Sequence, residues 1–306
     1  MKKGPPVLHV PPAAFNACYL PHLQASQRLQ IFYGGAGSGK SVFLAARALL
    51  DCLTGRNTLV VRKVARTLRT SCFAEAQKAM ARFGLGHFFK INKTEMSITC
   101  LVNSAQLLFL GLDDVEKIKS ITPLHGPLTD IWVEEATETA YTDVKQLEKR
   151  LRGISPHKKR LTLSFNPVSR AHWIYRRYFT DFPEDQGLLI TPERLILRTT
   201  YRDNRFLSPD DRAGMEQEQD AYFRQVYTLG EWGSLGGAVF TNWQVGSVPA
   251  HFPNTQLRCG LDFGYAQDPA AALLCAYDSK HKRLYVLDEF SETGLTNDRL
   301  AQRLKA

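Results

Sequence analysis

The chain has 306 residues, enough for about two ordinary domains, and its 39 Lys and Arg against 30 Asp and Glu give a net charge of +9, which favours a polyanionic partner. Hydrophobic residues make up 44% and charged residues 23%, values typical of globular proteins, which excludes a disordered or fibrous chain. No apolar run approaches the roughly 18 to 20 residues of a membrane span, and the six cysteines form no C-x-x-C pair, so we expect a cytoplasmic protein without a membrane segment or a zinc site.

The first half of the chain alternates predicted strands and helices. Residues 1–28 contain several prolines and little periodicity, which predicts an N-terminal arm rather than a core element. Strands are then predicted at 29–35, 57–63, on both sides of the Asn103–Ser104 turn within 97–114, at 121–136 and at 160–167, and helices at 41–55, 67–84 and 142–153. This alternation is typical of βαβ units, so we expect an α/β fold, a mostly parallel sheet with helices on both faces.

The second half of the chain changes its pattern twice. Residues 170–235 are predicted to be mainly helical and polar, and a Gly-rich segment at 229–240 interrupts them. Apolar strands of period two resume at 257–265, 269–278 and 282–290. We therefore predict a first domain at 29–235 that includes the helical subregion 170–235, a linker at 236–256, and a second domain at 257–306.

Residues 34–41, called the phosphate loop below, have the sequence GGAGSGKS and match the pattern G-x-x-x-x-G-K-[ST]. In this pattern backbone N–H groups surround a β-phosphate, the lysine reaches the β- and γ-phosphate oxygens, and the last hydroxyl binds Mg²⁺. The loop lies between a predicted strand and a predicted helix, whose positive end favours anions. The sequence therefore predicts a nucleoside triphosphate site formed by Gly34, Gly35, Gly37, Ser38, Gly39, Lys40 and Ser41.

Two acids, Glu134 and Glu135, follow the apolar run at 131–133. An NTPase needs an acid at the end of a neighbouring strand to hold Mg²⁺ and a base that orients the attacking water. We assign Glu134 to the metal, together with Ser41, and Glu135 to catalysis, together with Lys40. Without the phosphate loop, an exposed strand end would be the simpler explanation of the two acids.

The next predicted strand ends in the sequence SFNP at 164–167. Ser164, Phe165 and Asn166 could sense the γ-phosphate and couple its state to a moving element. An Asn-Pro turn is the alternative, and the residues alone do not decide between the two.

Nine basic residues and no acidic residue lie between Lys149 and Arg177. Such a run forms either a solvated basic face or a contact with phosphate backbones, and its one-sided charge favours the second. The candidate DNA contacts are Lys158, Lys159, Arg160 and Arg170.

The chain resembles the large terminase subunit of tailed phages, specifically the PBSX-like family of DNA-packaging motors. The resemblance extends over roughly residues 20–295 and includes the phosphate loop. The other segments that carry it, in the order of the family, are VVRKVARTLRTS (60–71), FLGLDDVEKIKSI (109–121), IWVEEATE (131–138), LSFNPVSRAHWIYRRYF (163–179), TTYRDNRFL (199–207), LGEWGSLGGAVFTNW (229–243) and GLDFGYAQDPAA (260–271). It implies an ASCE-type P-loop ATPase domain followed by the start of an RNase H-like nuclease domain at 257–306.

The resemblance also implies ATP and Mg²⁺ as cofactors and assigns roles to matching residues. The P-loop positions are Lys40 and Ser41, the Mg²⁺ and catalytic acids are Glu134 and Glu135, and the coupling motif is 164–166. Asp262, in GLDFGY, matches the first metal-binding carboxylate of the nuclease, whose metals are Mg²⁺ or Mn²⁺. The stretch from 250 to 306 is too short for a whole nuclease fold, so we expect that domain to be incomplete in this chain and inactive, or very weak, alone.

Two residues that the resemblance implies are not fixed by the sequence. Position 36 is Ala, where many terminases have an Arg, so a charge-stabilising arginine must come from Arg62, Arg66 or a neighbouring subunit. The expected adenine-contacting residue could be Gln24, Gln27 or Gln30.

We therefore expect an ATP-driven motor that translocates double-stranded viral DNA into a procapsid and carries a C-terminal endonuclease that cuts concatemeric DNA. The expected partners are double-stranded DNA, the small terminase subunit, the portal protein and further copies of this chain in a homo-oligomeric ring. The alternatives are another P-loop DNA-dependent ATPase, of helicase or recombination type, and a DNA-binding assembly protein with a vestigial ATP site. The predicted strands after 257 disfavour a helicase lobe, and Lys40 with both glutamates disfavours a vestigial site.

Overall fold

The structure is a computed structural model that describes residues 10–113, 121–233, 246, 256–264 and 269–304. It divides into two compact units, Met1–Ala238 and Val239–Ala306, and each is described by itself. Across these described ranges, no helix is both long enough and apolar enough to cross a membrane.

The first unit follows the predicted alternation of strands and helices. Its described strands are β1 (Leu29–Gly34), β2 (Thr58–Arg62), β3 (Phe89–Asn92), β4 (Ser97–Cys100), β5 (Gln106–Gly111), β6 (Asp130–Glu134), β7 (Arg160–Phe165), β8 (Leu188–Ile190) and β9 (Arg194–Thr199). Its described helices are α1 (Lys40–Leu53), α2 (Ala65–Thr70), α3 (Cys72–Arg82), α4 (Tyr141–Glu148), α5 (Trp173–Tyr178), α6 (Pro209–Glu216) and α7 (Ala221–Phe223). Short 3₁₀ helices also occur at Pro12–Ala14, Ala17–His22, Gly86–Phe88, Ala136–Glu138 and Tyr201–Asp203, and a π-helical turn follows α7 at Arg224–Thr228.

These strands form one nine-stranded sheet in the order β3-β4-β5-β2-β6-β7-β1-β9-β8. From β5 to β9 in this order, each strand is parallel to its neighbour. The outer strands β3, β4 and β8 pair antiparallel. The carboxyl ends of the six parallel strands therefore lie along one edge of the sheet, called the carboxyl edge below, where open α/β sheets bind their ligands. The opposite edge is called the amino edge.

Apolar side chains cover both faces of this sheet. On one face α1 and α3 contribute to a hydrophobic cluster, and on the other face α4 and α5 contribute to a second cluster. In β1, Phe32 belongs to the first cluster, whereas Ile31 and Tyr33 belong to the second. A strand buried on both faces requires a nearly continuous apolar run, and in β1 this run is interrupted by Gln30 near its start. The prediction of a mostly parallel sheet with helices on both faces is confirmed.

Residues 188–199 differ from the prediction of a mainly helical subregion at 170–235. They form β8 and β9, and β9 pairs with β1 from end to end. The sequence of β9 is RLILRT, a short apolar run between charged residues, so its flanks conceal it in a polar stretch. The prediction is wrong for this segment, because pairing with β1 and burial of Leu195 and Ile196 outweigh the local polarity.

The described part of the N-terminal segment also differs from the predicted arm. Its prolines limit it to short 3₁₀ helices, but Phe15 and Tyr19 are buried in the cluster that contains α1. The ring of Tyr19 stacks on that of Phe43, with centroids 4.6 Å apart. The prediction that residues 1–28 contribute no core element is therefore wrong for these residues, because two aromatic side chains outweigh the weak periodicity.

The second unit contains three antiparallel strands and a helix among its described residues. The strands β10 (Gln256–Asp262), β11 (Ala270–Asp278) and β12 (Arg283–Glu292) pair in this order and agree with the predicted ones, and α8 (Asn297–Arg303) follows. Ala270, Leu295 and Leu300 form a small buried cluster. The predicted linker at 236–256 lies, apart from residues 246 and 256, outside the described residues.

Candidate functional site

The phosphate loop lies at the carboxyl edge, between the end of β1 and the start of α1. Gly34, Gly37 and Gly39 have φ angles of 137°, 67° and 85°, which glycine adopts readily and other residues rarely do. At Gly34 a Cβ atom would lie 1.9 Å from the carbonyl oxygen of Thr199, so no side chain fits there. Gly39 is the N-cap of α1, so the positive end of this 14-residue helix faces the loop. The loop therefore has the conformation of an anion site.

The side chain of Lys40 lies inside the phosphate loop. Its ammonium group donates hydrogen bonds to the carbonyl oxygens of Gly34 at 3.2 Å and Gly35 at 2.7 Å, and to Ser38 Oγ at 3.2 Å. Burial lowers the pKa of Lys40 to about 8, although the carboxylates of Glu134 and Glu135 act in the opposite direction. The buried ammonium group is thus held by neutral oxygens, which a phosphate oxygen would outcompete as an acceptor.

Glu134 connects the phosphate loop to the neighbouring strand. The hydroxyl groups of Ser41 and Ser164 each donate a short hydrogen bond to its carboxylate, one to each oxygen. The indole N–H of Trp132 donates in turn to Ser164 Oγ at 2.6 Å. This convergence follows from the sheet, since β6 and β7 are neighbours and Glu134 pairs with Ser164 in register. Three residues predicted from separate motifs, Ser41, Glu134 and Ser164, are therefore in direct contact.

Glu135 lies directly after the end of β6 in a left-handed conformation, with a φ of 52°. This conformation breaks the strand alternation that would place it on the face opposite Glu134. Burial raises the pKa of Glu135, and the Glu134 carboxylate acts in the same direction, whereas Arg62 and Lys40 lower it. Arg62, at the end of β2, also forms an ion pair with Glu138 at 3.6 Å. Of the arginines considered for charge stabilisation, Arg62 thus acts electrostatically on the predicted catalytic acid.

The predicted coupling residues follow along β7 to the same edge. Asn166 donates a hydrogen bond from Nδ2 to the carbonyl oxygen of Gly34 at 2.6 Å, which is one of the oxygens bound by Lys40. Phe165 points away into the second hydrophobic cluster, where its ring lies 5.5 Å from that of Trp232. Asn166 therefore contacts the phosphate loop, and Ser164 contacts the predicted metal acid. Phe165 anchors this segment in the core.

Backbone contacts that no motif indicates hold the start of the phosphate loop. The N–H of Gly35 donates to Thr199 O at 2.9 Å, and the N–H of Ala36 donates to Tyr227 O at 2.7 Å. Tyr227 belongs to the π-helical turn, a rare conformation that is frequent at functional sites. A Cβ atom at Gly230, whose φ is 64°, would lie 2.5 Å from the nitrogen of Gly35. The segment after α7 is therefore in backbone contact with the loop, and Gly230 is the one sequence signal that could have indicated it.

Arg160, a predicted DNA contact, is instead part of a buried ion cluster at the amino edge. Its guanidinium group forms short ion pairs with Asp130 and Asp51, and its side chain is only 3% exposed. Arg56 contacts the same Asp130 carboxylate at 3.0 Å. The DNA assignment of Arg160 is therefore wrong, because its donors are committed to two carboxylates out of reach of a DNA backbone. The carboxylate partners of Arg160 lie 30 and 109 positions away in the sequence, so the basic run gives no sign of this cluster.

The remaining candidate DNA contacts do not form one patch. Lys158 is exposed and Lys159, which donates to Gly153 O, is half-buried; both precede β7 at the amino edge. Arg170 follows β7 and is exposed, but it forms an ion pair with Glu184 at 2.7 Å. The six residues of β7 separate the two groups by roughly 20 Å at about 3.3 Å per residue. The two lysines and Arg170 therefore lie at opposite ends of β7 rather than in one contiguous patch.

Two further predicted site residues, Gln30 and Asp262, are not part of the group at the carboxyl edge: Gln30 lies at the other end of β1, and Asp262 belongs to the second unit. Gln30 is buried near the amino end of β1, where its amide donates to Ala25 O and Gln27 O and accepts from Arg47. It is thus at the wrong end of the strand for a nucleotide contact. Asp262 is exposed at the end of β10 in the second unit. In the part of the chain that the structure describes, no group of three or more His, Cys, Asp or Glu residues is placed to hold a metal ion.

Comparison with protein families confirms the resemblance found in the sequence. The family model described as phage terminase large subunit matches residues 26–231. The chain is 30% identical over 295 residues to the terminase large subunit of Bacillus phage SPP1, covering 91% of this chain and 68% of that protein. It is 29% identical over 300 residues to the PBSX phage terminase large subunit of Bacillus subtilis (strain 168), with the same coverages.

Solved structures agree at the level of the fold. The large terminase of a thermophilic bacteriophage, in complex with ADP, matches with a TM-score of 0.59 and 19% identity, over 95% of this chain and 73% of that one. The ATPase domain of the Thermus phage P74-26 large terminase, solved as a point mutant, matches with a TM-score of 0.53 and 13% identity, over 70% of this chain and 93% of that one. The family match covers the whole parallel sheet and the residues that converge at its carboxyl edge, and the chain therefore belongs to the phage terminase large subunit family of DNA-packaging ATPase motors.

Proposed function

We propose that the chain binds ATP with Mg²⁺ at the phosphate loop and hydrolyses it to drive double-stranded DNA into a procapsid. The observation that carries this proposal is the pair of hydrogen bonds from Ser41 and Ser164 to the Glu134 carboxylate. They unite the phosphate loop, the metal acid and the coupling strand in one contact. The related large terminase of the thermophilic bacteriophage has been solved with ADP and with ATP-gamma-S, which supports a nucleotide as the ligand.

The residues at the carboxyl edge fit a magnesium ion. Mg²⁺ prefers oxygen ligands, commonly one or two carboxylates together with phosphate oxygens and water. The Ser41 hydroxyl and the Glu134 carboxylate are in direct contact, so these two oxygens would both reach one ion. When bound, Mg²⁺ neutralises charge on the transferred phosphoryl group. Ser164, which shares the Glu134 carboxylate, would keep it oriented.

The chain's own groups supply the remaining requirements of hydrolysis. Lys40 exchanges the carbonyl oxygens of the loop for phosphate oxygens, which are stronger acceptors for a buried ammonium group. Glu135, placed by its left-handed backbone beside Glu134, orients the attacking water and accepts its proton. Arg62 adds positive charge on the side of Glu135.

The coupling step uses β7. Ser164 contacts the metal acid, and Asn166 contacts Gly34 O in the phosphate loop, so loss of the γ-phosphate changes the partners available to both. The expected partners of the motor are double-stranded DNA, the small terminase subunit, the portal protein and other copies of the chain in a ring. Lys158 and Lys159 remain proposed DNA contacts, since no carboxylate among the described residues forms an ion pair with either side chain.

We assign the ATPase to residues 29–235 and an RNase H-like nuclease fold to the second unit. The antiparallel strands β10, β11 and β12 support the second assignment, with Asp262 at the end of the first strand as a metal-binding carboxylate. Mg²⁺ or Mn²⁺ would be its metal. The related large terminases extend beyond the matched region, since the chain covers 68% of their length.

The proposal is tested by ATP hydrolysis with and without linear double-stranded DNA. Glu135→Gln should lower kcat by about 100-fold or more, the usual effect of losing a general base, while ATP binding is kept. Glu95→Gln makes the same change at an exposed turn between β3 and β4 and should leave kcat unaltered. Absence of turnover in the unaltered chain with DNA would favour a vestigial site. Strand separation by the unaltered chain would favour a helicase.

A further inference from the structure

Two side chains from outside the phosphate loop, those of Tyr19 and Asn204, donate hydrogen bonds to its backbone. The hydroxyl of Tyr19 donates to the carbonyl oxygen of Ser38 at 3.1 Å. The amide of Asn204 donates to the carbonyl oxygen of Gly37 at 2.7 Å. Tyr19 comes from the 3₁₀ helix Ala17–His22 and Asn204 from the segment after Tyr201–Asp203, so distant parts of the chain bind two consecutive carbonyls of the loop.

These two contacts fix the direction of two consecutive N–H groups. A peptide unit is planar, and its C=O and N–H point in opposite directions. Holding the Gly37 carbonyl outward therefore turns the N–H of Ser38 inward, and holding the Ser38 carbonyl outward does the same for Gly39. Inward N–H groups are what a phosphate cradle requires. The hydrogen bonds from Tyr19 and Asn204 thus determine which way the N–H groups of Ser38 and Gly39 point.

Further contacts hold both donor side chains in the orientation that reaches the loop. The ring of Tyr19 is 1% exposed and stacked on Phe43, and its hydroxyl also meets Thr199 Oγ1 at 2.9 Å. The Asn204 side-chain oxygen accepts from Asn16 Nδ2 at 3.1 Å, which leaves its NH₂ group directed to the loop. Donors whose side chains are held by other contacts lose little entropy on binding and are well suited to positioning.

We propose that Tyr19 and Asn204 are positioning residues of the nucleotide site, which hold the N–H groups of Ser38 and Gly39 toward the phosphates of the ligand. This inference rests on the proposed ATP site. Through Tyr19, the N-terminal segment would then contribute to nucleotide binding. The two residues act on the phosphates through the loop, so their loss weakens binding of any ligand with linked phosphates, whatever base it carries.

The test uses variants that remove one donor and little else. Tyr19→Phe keeps the stacked ring and removes the hydroxyl, and Asn204→Leu keeps the approximate shape and removes the NH₂ group without adding a charge beside the phosphates. Tyr33→Phe is the matched control, because Tyr33 is also 1% exposed but belongs to the cluster on the other face of the sheet. The dissociation constants of ATP-gamma-S and of inorganic pyrophosphate are measured on the full chain with Mg²⁺, beside kcat and KM for ATP.

Each variant should raise both dissociation constants by about three- to tenfold, the usual net effect of one hydrogen bond. KM should rise in parallel and kcat should change less than about twofold, whereas Tyr33→Phe should change neither. Unaltered pyrophosphate affinity in both variants would overturn the inference, and so would a fall in kcat without a change in binding. If circular dichroism shows that Tyr19→Phe does not fold, the uncharged Asn204→Leu, at a half-buried position, decides alone. Failure of the unaltered chain to bind either ligand would instead overturn the proposed function, and the inference with it.

Discussion

Arg160 provides a direct test of whether the basic run at 149–177 serves stability or DNA binding. Its guanidinium group joins Asp51 of α1 to Asp130 of β6, and its side chain is 3% exposed. Arg160→Gln removes the shared cation and leaves Asp51 without this ion-pair partner. Removing one member of a buried ion pair costs about 3–5 kcal/mol, because the remaining charge is desolvated and uncompensated. Since domains are stable by about 5–15 kcal/mol, the variant should lose about a fifth or more of its free energy of unfolding.

The measurement is urea unfolding followed by circular dichroism, with Lys158→Gln as the matched control. The control removes the same charge two residues earlier from an exposed side chain, and should change the free energy of unfolding by less than about 0.5 kcal/mol. DNA affinity against salt concentration separates the two roles, since each lost phosphate contact lowers the slope by about 0.9. The slope should fall for Lys158→Gln and remain unaltered for folded Arg160→Gln. A stability within about 0.5 kcal/mol of the unaltered chain, or a reduced salt slope, for Arg160→Gln would refute the reasoning.

Three further predictions concern the phosphate loop, the coupling strand and a helix cap. Gly230→Ala should cost more than about 2 kcal/mol and weaken ATP-gamma-S binding, since its Cβ would meet the nitrogen of Gly35; an unaltered melting temperature and affinity would contradict this. Ser164→Ala removes a donor to Glu134, so kcat should fall at least about tenfold with little change in nucleotide affinity; the opposite split would count against coupling. The neutral ring of His172 caps α5, and burial lowers the pKa of this ring. The contribution of the cap to stability is therefore fully present above the ordinary histidine pKa of about 6.5, and it is lost as the pH falls from there through the lowered pKa. His172→Asn should therefore flatten the pH dependence of urea unfolding below about pH 6.5, and an unaltered slope would exclude the cap as its cause.

The sequence predicts the elements whose signal is local. β1 and β6 contain the apolar runs 31–33 and 131–133, and β7 alternates apolar with small polar residues. The phosphate loop and the acid pair are contiguous motifs at the ends of β1 and β6. Since carboxyl ends of parallel strands meet at one edge, separate motifs can be placed in one site from the sequence alone. The strand β9 could not be predicted in this way, because its charged ends resemble the polar sequence around it. Its pairing with β1 in the structure shows that it is a strand.

Interactions between distant residues could not be predicted in this way. Asn16 and Asn204 are 188 positions apart, and nothing in their local sequence indicates that they hydrogen bond beside the phosphate loop. Arg160 looks like any other member of a basic run, because its carboxylate partners lie 30 and 109 positions away. Composition gives the number of charges, but burial and pairing decide what each charge does. The site was therefore predictable in its chemistry, while the contacts that hold it were not.

The contacts at the two edges of the sheet indicate where the motor can move. At the carboxyl edge the Glu134 carboxylate of β6 joins hydroxyl groups of α1 and β7, and at the amino edge Arg160 of β7 joins Asp51 of α1 to Asp130 of β6. Because these three elements are linked at both ends, they cannot slide past one another without breaking a buried ion cluster. We propose that a change at the nucleotide, sensed by Ser164 and Asn166 at the end of β7, passes to the elements that contact the loop at this edge only. Residues 199–233, which contact it through β9 and the π-helical turn, meet that condition.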